Sequence, residues 1–307
     1  MQNADYRFWR YKFPFNVFCL KRSALQVKRS FIVLIYLIMD PMTDNAQTPL
    51  DYNLAVCTLA SGSKGNATYI SDGQTSILID AGLSGIELQR RLTARGLDPA
   101  SLQAIIVSHE HSDHTRGVGI LSRRYKLPVY MNRSTQSALT GLGRLYAITP
   151  YECGKPFHIR SLCIHPFSVS HDAEDPAGFA VNCNGTRMAI ATDLGIATAM
   201  VKEHLKHCAL LILEANHDPK MLETGPYPWP LKQRIQSRVG HLSNADSKNL
   251  LLELQHDKLQ HVILAHLSEI NNTPQKAFAE VSRALTRCSA ELTVADQYTS
   301  GPVLYLK

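Results

Sequence analysis

His109-Glu110-His111-Ser112-Asp113-His114 is the stretch that decides how the rest of this sequence is interpreted. It follows the apolar run Gln103–Ser108, which is typical of a buried strand. Three imidazoles and a carboxylate therefore lie just past a strand end, where a loop can direct several side chains to one point. This set of donor groups suits zinc, manganese or iron better than calcium, which prefers shells made of oxygen. The stretch predicts a metal site rather than a polar surface loop with incidental histidines.

The overall composition is that of a globular chain with a sizeable core. The 307 residues are 45% hydrophobic and 19% charged, which is enough for one large α/β domain or two small ones. The seven cysteines are scattered, and no two of them form a Cys-x-x-Cys pair. This pattern predicts reduced thiols in a cytoplasmic protein, with His and Asp rather than thiolates as metal ligands.

The net charge of +6 comes mostly from the N-terminal segment. Residues 1–42 contain seven Lys or Arg and two Asp, so the remainder of the chain is close to neutral. The net charge of that remainder gives no independent support for nucleic-acid binding. Any binding of a nucleic acid would have to depend on local patches of basic residues.

The N-terminal segment also contains the apolar run Phe31–Met39. An integral membrane span needs about 20 apolar residues, so this run is too short, and no Ala-x-Ala-like site follows it. Three interpretations remain open: translation that starts at Met39 or Met42, a peripheral anchor, or an unusual export signal. We expect residues 1–52 to be an extension, disordered or produced by a misassigned start, and residues 53–307 to form the functional domain.

From Asn53 onward, short apolar strands alternate with amphipathic helices. Strands are predicted at 54–59, 67–71, 76–80, 103–108, 128–131, 178–182, 187–192, 209–214, 261–265, 292–295 and 303–306, with further strands within 145–170. Helices are predicted at 84–95, 116–125, 133–142, 197–206, 231–238, 245–254 and 274–287. This order predicts two sheets packed face to face with helices outside. The small-residue turn Ala60–Asn66 is either a plain hairpin turn or a backbone cradle for a phosphate.

Polar residues at the ends of other strands complete the predicted metal site. His171, Asp193 and His266 each follow an apolar strand. Asp193 is suited to bridge two ions, because one carboxylate has two oxygens. The candidates then form two sets, His109, His111 and His171 for one ion and Asp113, His114 and His266 for the other, with Asp193 between them.

A centre with two divalent ions predicts hydrolytic chemistry. Ions about 3.5–4 Å apart share a hydroxide, which forms near pH 7, and stabilise the attacking and leaving oxygens. We expect Asp113 to orient that hydroxide and Asp80 to support the site through hydrogen bonds. The ligand types are compatible with zinc or manganese, and also with iron.

The order of these motifs resembles the metallo-β-lactamase superfamily, with Asp80-Ala-Gly82 upstream of the histidine stretch and three single ligands downstream. The resemblance covers residues 53–307. It implies an α/β fold, a four-layer αββα sandwich with a dinuclear site at one edge of its two sheets. The implied ligands are His109, His111, His171 and Asp193 for one metal, and Asp113, His114, Asp193 and His266 for the other.

A narrower resemblance is to the YycJ/WalJ/VicX branch of that superfamily. It is carried mainly by Leu59–Asn66, Glu214–Asp218 and Gly240–Asn244, with Tyr227-Pro and Leu231-Lys between them. Members of this branch are described as DNA exonucleases. The resemblance therefore implies a phosphodiester hydrolase that acts 5′-to-3′ on DNA rather than RNA. The sequence leaves the oligomeric state undetermined.

Four residues from these motifs are candidates for roles beside the metals. His241 is expected on an exposed turn, where it would contact a phosphate or protonate the leaving oxygen. Glu214 would hydrogen-bond a ligand imidazole, which selects the tautomer of the ring. His217 and Ser243 are candidates for contacts with the site or the substrate. A local basic patch for the nucleic-acid backbone is predicted from Lys220, Lys232 and Arg234.

Two other functions compete with the nuclease. The first is a small-molecule hydrolase of a thioester or lactone, similar to glyoxalase II, which would use the same dinuclear site. The second is a metal-stabilised regulatory or scaffold protein without catalysis. The segment Gly240–Asn244 favours the nuclease, because a thioester site needs no such motif. The complete set of ligand residues argues against the scaffold.

Overall fold

Two mixed β-sheets form the centre of the computed structural model, which describes residues 51–307. The first sheet has the strand order β14-β1-β2-β3-β4-β5-β6. Its strands are β1 (Leu54–Ala60), β2 (Ala67–Ser71), β3 (Ser76–Ile79), β4 (Leu102–Ile106), β5 (Pro128–Met131), β6 (Ala147–Pro150) and β14 (Leu304–Leu306). The helices that follow these strands are α1 (Gly85–Ala94), α2 (Ser112–Thr115), α3 (Val118–Tyr125) and α4 (Arg133–Ala138).

The second sheet has the strand order β13-β12-β11-β10-β9-β8-β7. Its strands are β7 (Phe157–Ile159), β8 (Leu162–Ser168), β9 (Ala177–Cys183), β10 (Thr186–Ala191), β11 (Leu210–Glu214), β12 (His261–Ala265) and β13 (Glu291–Val294). The helices of this half are α5 (Ala199–Leu205), α6 (Pro219–Thr224), α7 (Trp229–Ile235), α8 (Asn244–Leu254) and α9 (Pro274–Val281).

Three apolar clusters hold these layers together. Val56 and Ile106 of the first sheet share the central cluster with Phe179 and Ile212 of the second. The outer face of each sheet packs on its own helices, for example through Leu88 of α1. Because both faces of both sheets are covered, strands such as β1 are buried along their whole length. These layers confirm the predicted four-layer αββα sandwich.

The strand directions place most of the predicted site residues at one edge. In the first sheet β3 and β4 run parallel, and in the second sheet β10, β11 and β12 run parallel. Parallel neighbours end at the same edge of a sheet, where open α/β sheets carry their ligand sites. The residues that follow these five strands therefore come together.

The predicted helices form with shifts at their ends that have local causes. The helix expected to begin at Arg116 is preceded by α2, so the histidine stretch itself contains a helical turn. Helix α6 was not predicted from the sequence because it is short, although Asp218 caps its N-terminus and Pro219 follows. Ser84 caps α1 as predicted, and its hydroxyl accepts a hydrogen bond from Glu87 N at 3.3 Å.

The turn after β1 is a hairpin connection between β1 and β2. Most of its backbone N–H groups already have acceptors within the protein. Gly62 N donates to Asn66 Oδ1 at 2.9 Å, and Lys64 N donates to Gln297 Oε1 at 2.8 Å. Gly65 N and Asn66 N are also engaged, the latter with the Asp113 carbonyl at 2.7 Å. The turn therefore ties β1 to the histidine stretch.

The predictions for the N-terminal segment and for the cysteines are tested to different extents by the described residues. The apolar run Phe31–Met39 lies outside the described residues, as does the predicted extension apart from its last two residues. Across residues 51–307, no helix is long and apolar enough to cross a membrane. The six cysteines in that range are unpaired, and burial raises the pKa of the Cys57 thiol to about 11.

Gly82 is expected to tolerate no larger residue. A Cβ added there would lie 1.5 Å from the Asp113 carbonyl oxygen and 2.6 Å from Asn66 N, both of them backbone atoms. We therefore expect Gly82→Ala to lower the free energy of unfolding by about 3 kcal/mol, because the backbone of the histidine stretch must move. Gly301→Ala is the matched control, since its nearest contact would be Thr58 O at 3.5 Å. Equal thermal denaturation midpoints for the two variants would contradict this prediction.

Candidate metal centre

The first group of donors joins the two sheets. His109 Nε2 and His111 Nδ1, which follow β4, lie 3.1 Å apart. The ring of His171, which follows β8, is centred 5.3 Å from that of His109 and 5.2 Å from that of His111. One ring nitrogen of each lies within 4.8 Å of the others, close enough for one ion. The structure thus brings together the first predicted set.

The second group contains Asp113, His114 and His266. Asp113 Oδ2 lies 3.5 Å from His114 Nε2 and 3.6 Å from His266 Nε2. Asp113 and His114 are adjacent residues of α2, and His266 follows β12. The second predicted set therefore also converges.

Asp193 lies between the two groups. Its Oδ2 is 3.3 Å from His114 Nε2 in the second group, and its Oδ1 is 3.7 Å from His171 Nε2 in the first. Oδ1 is also 3.5 Å from His266 Nε2. A single carboxylate thus reaches both groups, as a bridging ligand must.

Three of the five candidate imidazoles are held by contacts on the nitrogen that faces away from the centre. His114 Nδ1 donates to Asp80 Oδ2 at 2.8 Å, and His266 Nδ1 donates to Glu214 Oε1 at 3.0 Å. His171 Nδ1 lies 3.3 Å from the Gly240 carbonyl. Each bond selects the tautomer whose Nε2 lone pair points toward the centre. Asp80 thus supports a ring, and its second oxygen accepts from Ser108 N at 2.8 Å.

The buried donor atoms of this centre fit a divalent cation. Asp193 Oδ2 and His266 Nε2 are buried and have no hydrogen-bond partner among residues 51–307. Buried polar atoms without a partner are costly, and a cation that accepts their lone pairs removes that cost. A centre of nitrogen and oxygen donors without sulfur suits zinc, manganese or iron.

The electrostatics favour the protonation state that a ligand needs at Asp193 and at His109, whereas Asp193 raises the pKa of the buried His114 and His266 well above the ordinary value while no cation is bound. Burial works against a charged Asp193, yet the imidazoles of His266 and His114 hold the pKa of its carboxyl well below the ordinary value. Burial, reinforced by His114, lowers the pKa of His109 well below its ordinary value. Asp193 is therefore a carboxylate and His109 a neutral imidazole, and both have lone pairs to offer a metal.

Three residues of the site have left-handed backbones. The φ angles are 60° at Asp80, 56° at Asp193 and 56° at His266, each one or two residues after a strand. This conformation is uncommon outside glycine, although Asp and His are found there more often than most residues. Such outliers concentrate at functional sites, where the surrounding structure maintains them. Sequence reasoning missed this feature, for which the only signal was the residue types that end the strands.

Glu214 connects the metal centre to His241. The carboxylate is 0% exposed, and besides His266 its Oε1 accepts from His241 Nδ1 at 2.7 Å. Its Oε2 accepts from the backbone N–H groups of Leu194 and Leu242, at 2.8 and 3.1 Å. Although burial would lower the pKa of His241, the Glu214 charge raises it. His241 is thus 20% exposed and anchored, rather than free on an exposed turn.

A cavity of about 190 Å³ opens beside His241 and His266. Tyr227 and Arg234 line it on the side of α7. Arg234 pairs with Asp172, next to the candidate ligand His171. Of the other two residues of the predicted basic patch, Lys220 is exposed and Lys232 Nζ donates to the Glu223 carbonyl at 2.7 Å. Arg234 is therefore the one that faces this cavity.

Two candidate residues, His217 and Ser243, have surroundings that fit a role in the fold. His217 is 3% exposed and belongs to none of the donor groups found in residues 51–307. Ser243 caps α8, where its hydroxyl donates to Asp246 Oδ2 at 2.6 Å and accepts from Asp246 N at 3.1 Å. This reciprocal capping box engages the Ser243 side chain within the helix terminus.

Comparison with known proteins places the chain among metallohydrolases. The model of the Beta-lactamase superfamily domain matches residues 75–267. The chain is 37% identical over 230 residues to the Exodeoxyribonuclease YycJ of Bacillus anthracis, covering 74% of this chain and 87% of that protein. It is 36% identical over 224 residues to the Exodeoxyribonuclease WalJ of Streptococcus pneumoniae, covering 71% of this chain and 83% of that protein.

A solved structure shows the same architecture. The metallo-beta-lactamase fold protein YhfI from Bacillus subtilis superposes with a TM-score of 0.63 at 16% sequence identity. The match covers 81% of this chain and 98% of that chain. At this level of identity the likeness establishes the fold and no more. The αββα sandwich is therefore the same in both chains.

Proposed function

The chain belongs to the metallo-β-lactamase superfamily and, within it, to the branch of the YycJ and WalJ exodeoxyribonucleases, and from this we propose that it is a metal-dependent exodeoxyribonuclease. The observation that carries the proposal is the 37% identity to YycJ over 87% of that protein. The donor groups at the shared edge of the sheets would supply the chemistry such an enzyme needs. The thioester or lactone hydrolase is not favoured, since these relatives are named exodeoxyribonucleases.

Two divalent ions, of zinc, manganese or iron, are the proposed cofactors. Seven residues would hold them: His109, His111, Asp113, His114, His171, Asp193 and His266. Bound there, the ions would act as Lewis acids that offset the charge of a phosphodiester and lower the pKa of a water molecule. Asp193 would belong to both shells, because its carboxylate lies near imidazoles of both groups.

The remaining residues would position the reacting groups. Asp113 is partly exposed at the edge of the centre, where its carboxylate can orient the attacking water. His241 donates Nδ1–H to Glu214, so its Nε2 remains available to the adjoining cavity. Nε2 can contact a phosphate oxygen there or deliver a proton to the leaving oxygen. Glu214 would act indirectly, by holding the imidazoles of His241 and His266 in position.

The proposed substrate is DNA rather than RNA, degraded from its 5′ end. The names of the two relatives support DNA. The 5′-to-3′ polarity follows from the resemblance to the YycJ branch. A cytoplasmic location, expected from the scattered cysteines, is part of the same proposal.

The function is tested with the full chain, stripped by a chelator and then supplied with manganese or zinc. We expect the reconstituted protein to release nucleotides from labelled duplex DNA and the stripped protein to release none. DNA with 5′-phosphate or 5′-hydroxyl ends, RNA and a thioester are offered in parallel, which separates substrate class from end chemistry. Thioester turnover without cleavage of either nucleic acid would exclude the nuclease.

A further inference from the structure

A second, larger cavity adjoins the one beside the metal centre. The two share Ser268, and the larger has a volume of about 520 Å³, within the ~300–1,000 Å³ typical of small-molecule sites. Ser61 also lines it, and the Ser61 hydroxyl accepts from the backbone N–H of the candidate ligand His266 at 2.7 Å. The larger cavity thus lies next to the site but plays no part in the proposed chemistry.

Tyr298 forms an oriented aromatic surface on the wall of this cavity. The residue is 59% exposed, yet its hydroxyl is held by Glu269 and by Lys64, whose Nζ lies 2.8 Å away. The same Nζ is 5.2 Å from the ring centroid, so the ammonium lies at the hydroxyl end of the ring and not over its face. The orientation of the ring is therefore set while its face stays open to a ligand.

The charges around the cavity favour a neutral group over a phosphate. Its two acidic residues are Glu269 and Asp296. Lys64 pairs with Glu269 at 2.7 Å, and Asp296 Oδ1 accepts from the backbone N–H groups of Tyr298 and Thr299. No cation is left over among the lining residues to attract a phosphate. Leu267, Pro274, Val294 and Ala295 add an apolar floor.

We propose that this cavity binds a base of the DNA strand, which stacks on Tyr298 while the phosphate attached to that strand lies at the metal centre. A nucleobase is flat, uncharged and largely apolar on its faces, as the cavity requires. Base–aromatic stacking is tolerant of sequence, which suits a nuclease that removes every nucleotide in turn. This inference depends on the proposed function, since it assumes a DNA substrate.

Substitution of the ring tests the proposal. We expect Tyr298→Ala to raise KM for DNA by about 5- to 150-fold, the range for loss of one stacked base. Tyr298→Trp should keep KM within about threefold of the native value. Hydrolysis of a fully abasic oligonucleotide, which has no aromatic group to stack, should be unchanged in both. The matched control is Tyr305→Ala, because Tyr305 is 56% exposed and pairs with Ala55 at the far end of β1.

Oligonucleotides with one abasic site, moved along the first nucleotides of the strand, locate the stacked base. At one position the abasic site should raise KM for the native enzyme and remove the difference between native enzyme and Tyr298→Ala. The proposal would be overturned if the difference in KM between native enzyme and Tyr298→Ala persisted at every position of the abasic site, or if Tyr298→Ala had the native KM. Either result would also be expected if the cavity binds a protein segment instead of a base.

The two hypotheses fail in distinguishable ways. If the native enzyme hydrolyses bis(p-nitrophenyl) phosphate but no DNA, the proposed function is wrong. The base site is then still tested by measuring the binding of the same oligonucleotides through fluorescence anisotropy. Weaker binding by Tyr298→Ala than by Tyr305→Ala would support the base site, and equal binding would refute it.

Discussion

Asp193→Asn is expected to lower the rate of DNA hydrolysis by at least about 10²–10³-fold, the loss that follows removal of one electrostatic stabiliser from an active site. The reason is the position of Asp193 between the two donor groups, where its oxygens lie 3.3 Å from His114 Nε2 and 3.7 Å from His171 Nε2. An amide retains the shape of the side chain but has no charge and only one acceptor oxygen. Steady-state hydrolysis and the stoichiometry of bound metal measure the two consequences.

Asp257→Asn is the matched control for this substitution. Asp257 is exposed and precedes β12, so it lies at the opposite end of the strand from His266. We expect native hydrolysis and native metal content in that variant. Hydrolysis by Asp193→Asn at a rate comparable to Asp257→Asn would show that the metal centre is not the catalytic site.

Glu214→Gln is expected to weaken metal affinity or hydrolysis by about 10- to 100-fold, although Glu214 is not among the proposed ligands. Its carboxylate accepts hydrogen bonds from two imidazoles and two backbone N–H groups. The amide of glutamine would turn an NH₂ group against one pair of these donors. The affected imidazole would then no longer be held in the same tautomer or orientation. Leaving buried donors unpaired should also lower the free energy of unfolding by about 1–3 kcal/mol.

Titration calorimetry with the metal measures the effect of Glu214→Gln on metal affinity, and kinetics at saturating metal measure its effect on kcat. Weaker metal affinity reports on His266, whereas a lower kcat at full occupancy reports on His241. His241→Ala should show the kinetic effect alone. The control is Glu253→Gln, because Glu253 is an exposed residue of α8 that pairs with Lys202. Native affinity and native kcat in Glu214→Gln would exclude the positioning role.

The sequence predicted the fold and the location of the donor groups because both depend on local patterns. Apolar runs give the strands, and a polar residue directly after a run lies at a sheet edge, as with Asp193 and His266. The parallel order of β10, β11 and β12 then brings such residues together. The roles of the individual site residues remain predictions, which the two substitutions above are designed to test.

Other features depend on contacts between distant segments and left little trace in the sequence. The four hydrogen bonds of Glu214 come from residues up to 52 positions away. The cavity beside Tyr298 requires the turn after β1, the end of β12 and the segment after β13 to meet. Ser243 is a different case, since the pattern Ser243-Asn-Ala-Asp246 is a recognisable helix start that predicts its capping role.

The left-handed backbones at Asp80, Asp193 and His266 have a consequence for how homologous chains can be classified. Each of these conformations is less costly for glycine, by about 1 kcal/mol or more, so the fold by itself would favour glycine at all three positions. The proposed metal centre opposes that preference, and at Asp80 so do the hydrogen bonds from Ser108 and His114. A homologue that no longer uses the centre is free to acquire glycine there and gain stability. We therefore expect glycine at these three strand ends to mark homologues that have lost the proposed centre, and Asp and His to mark those that keep it.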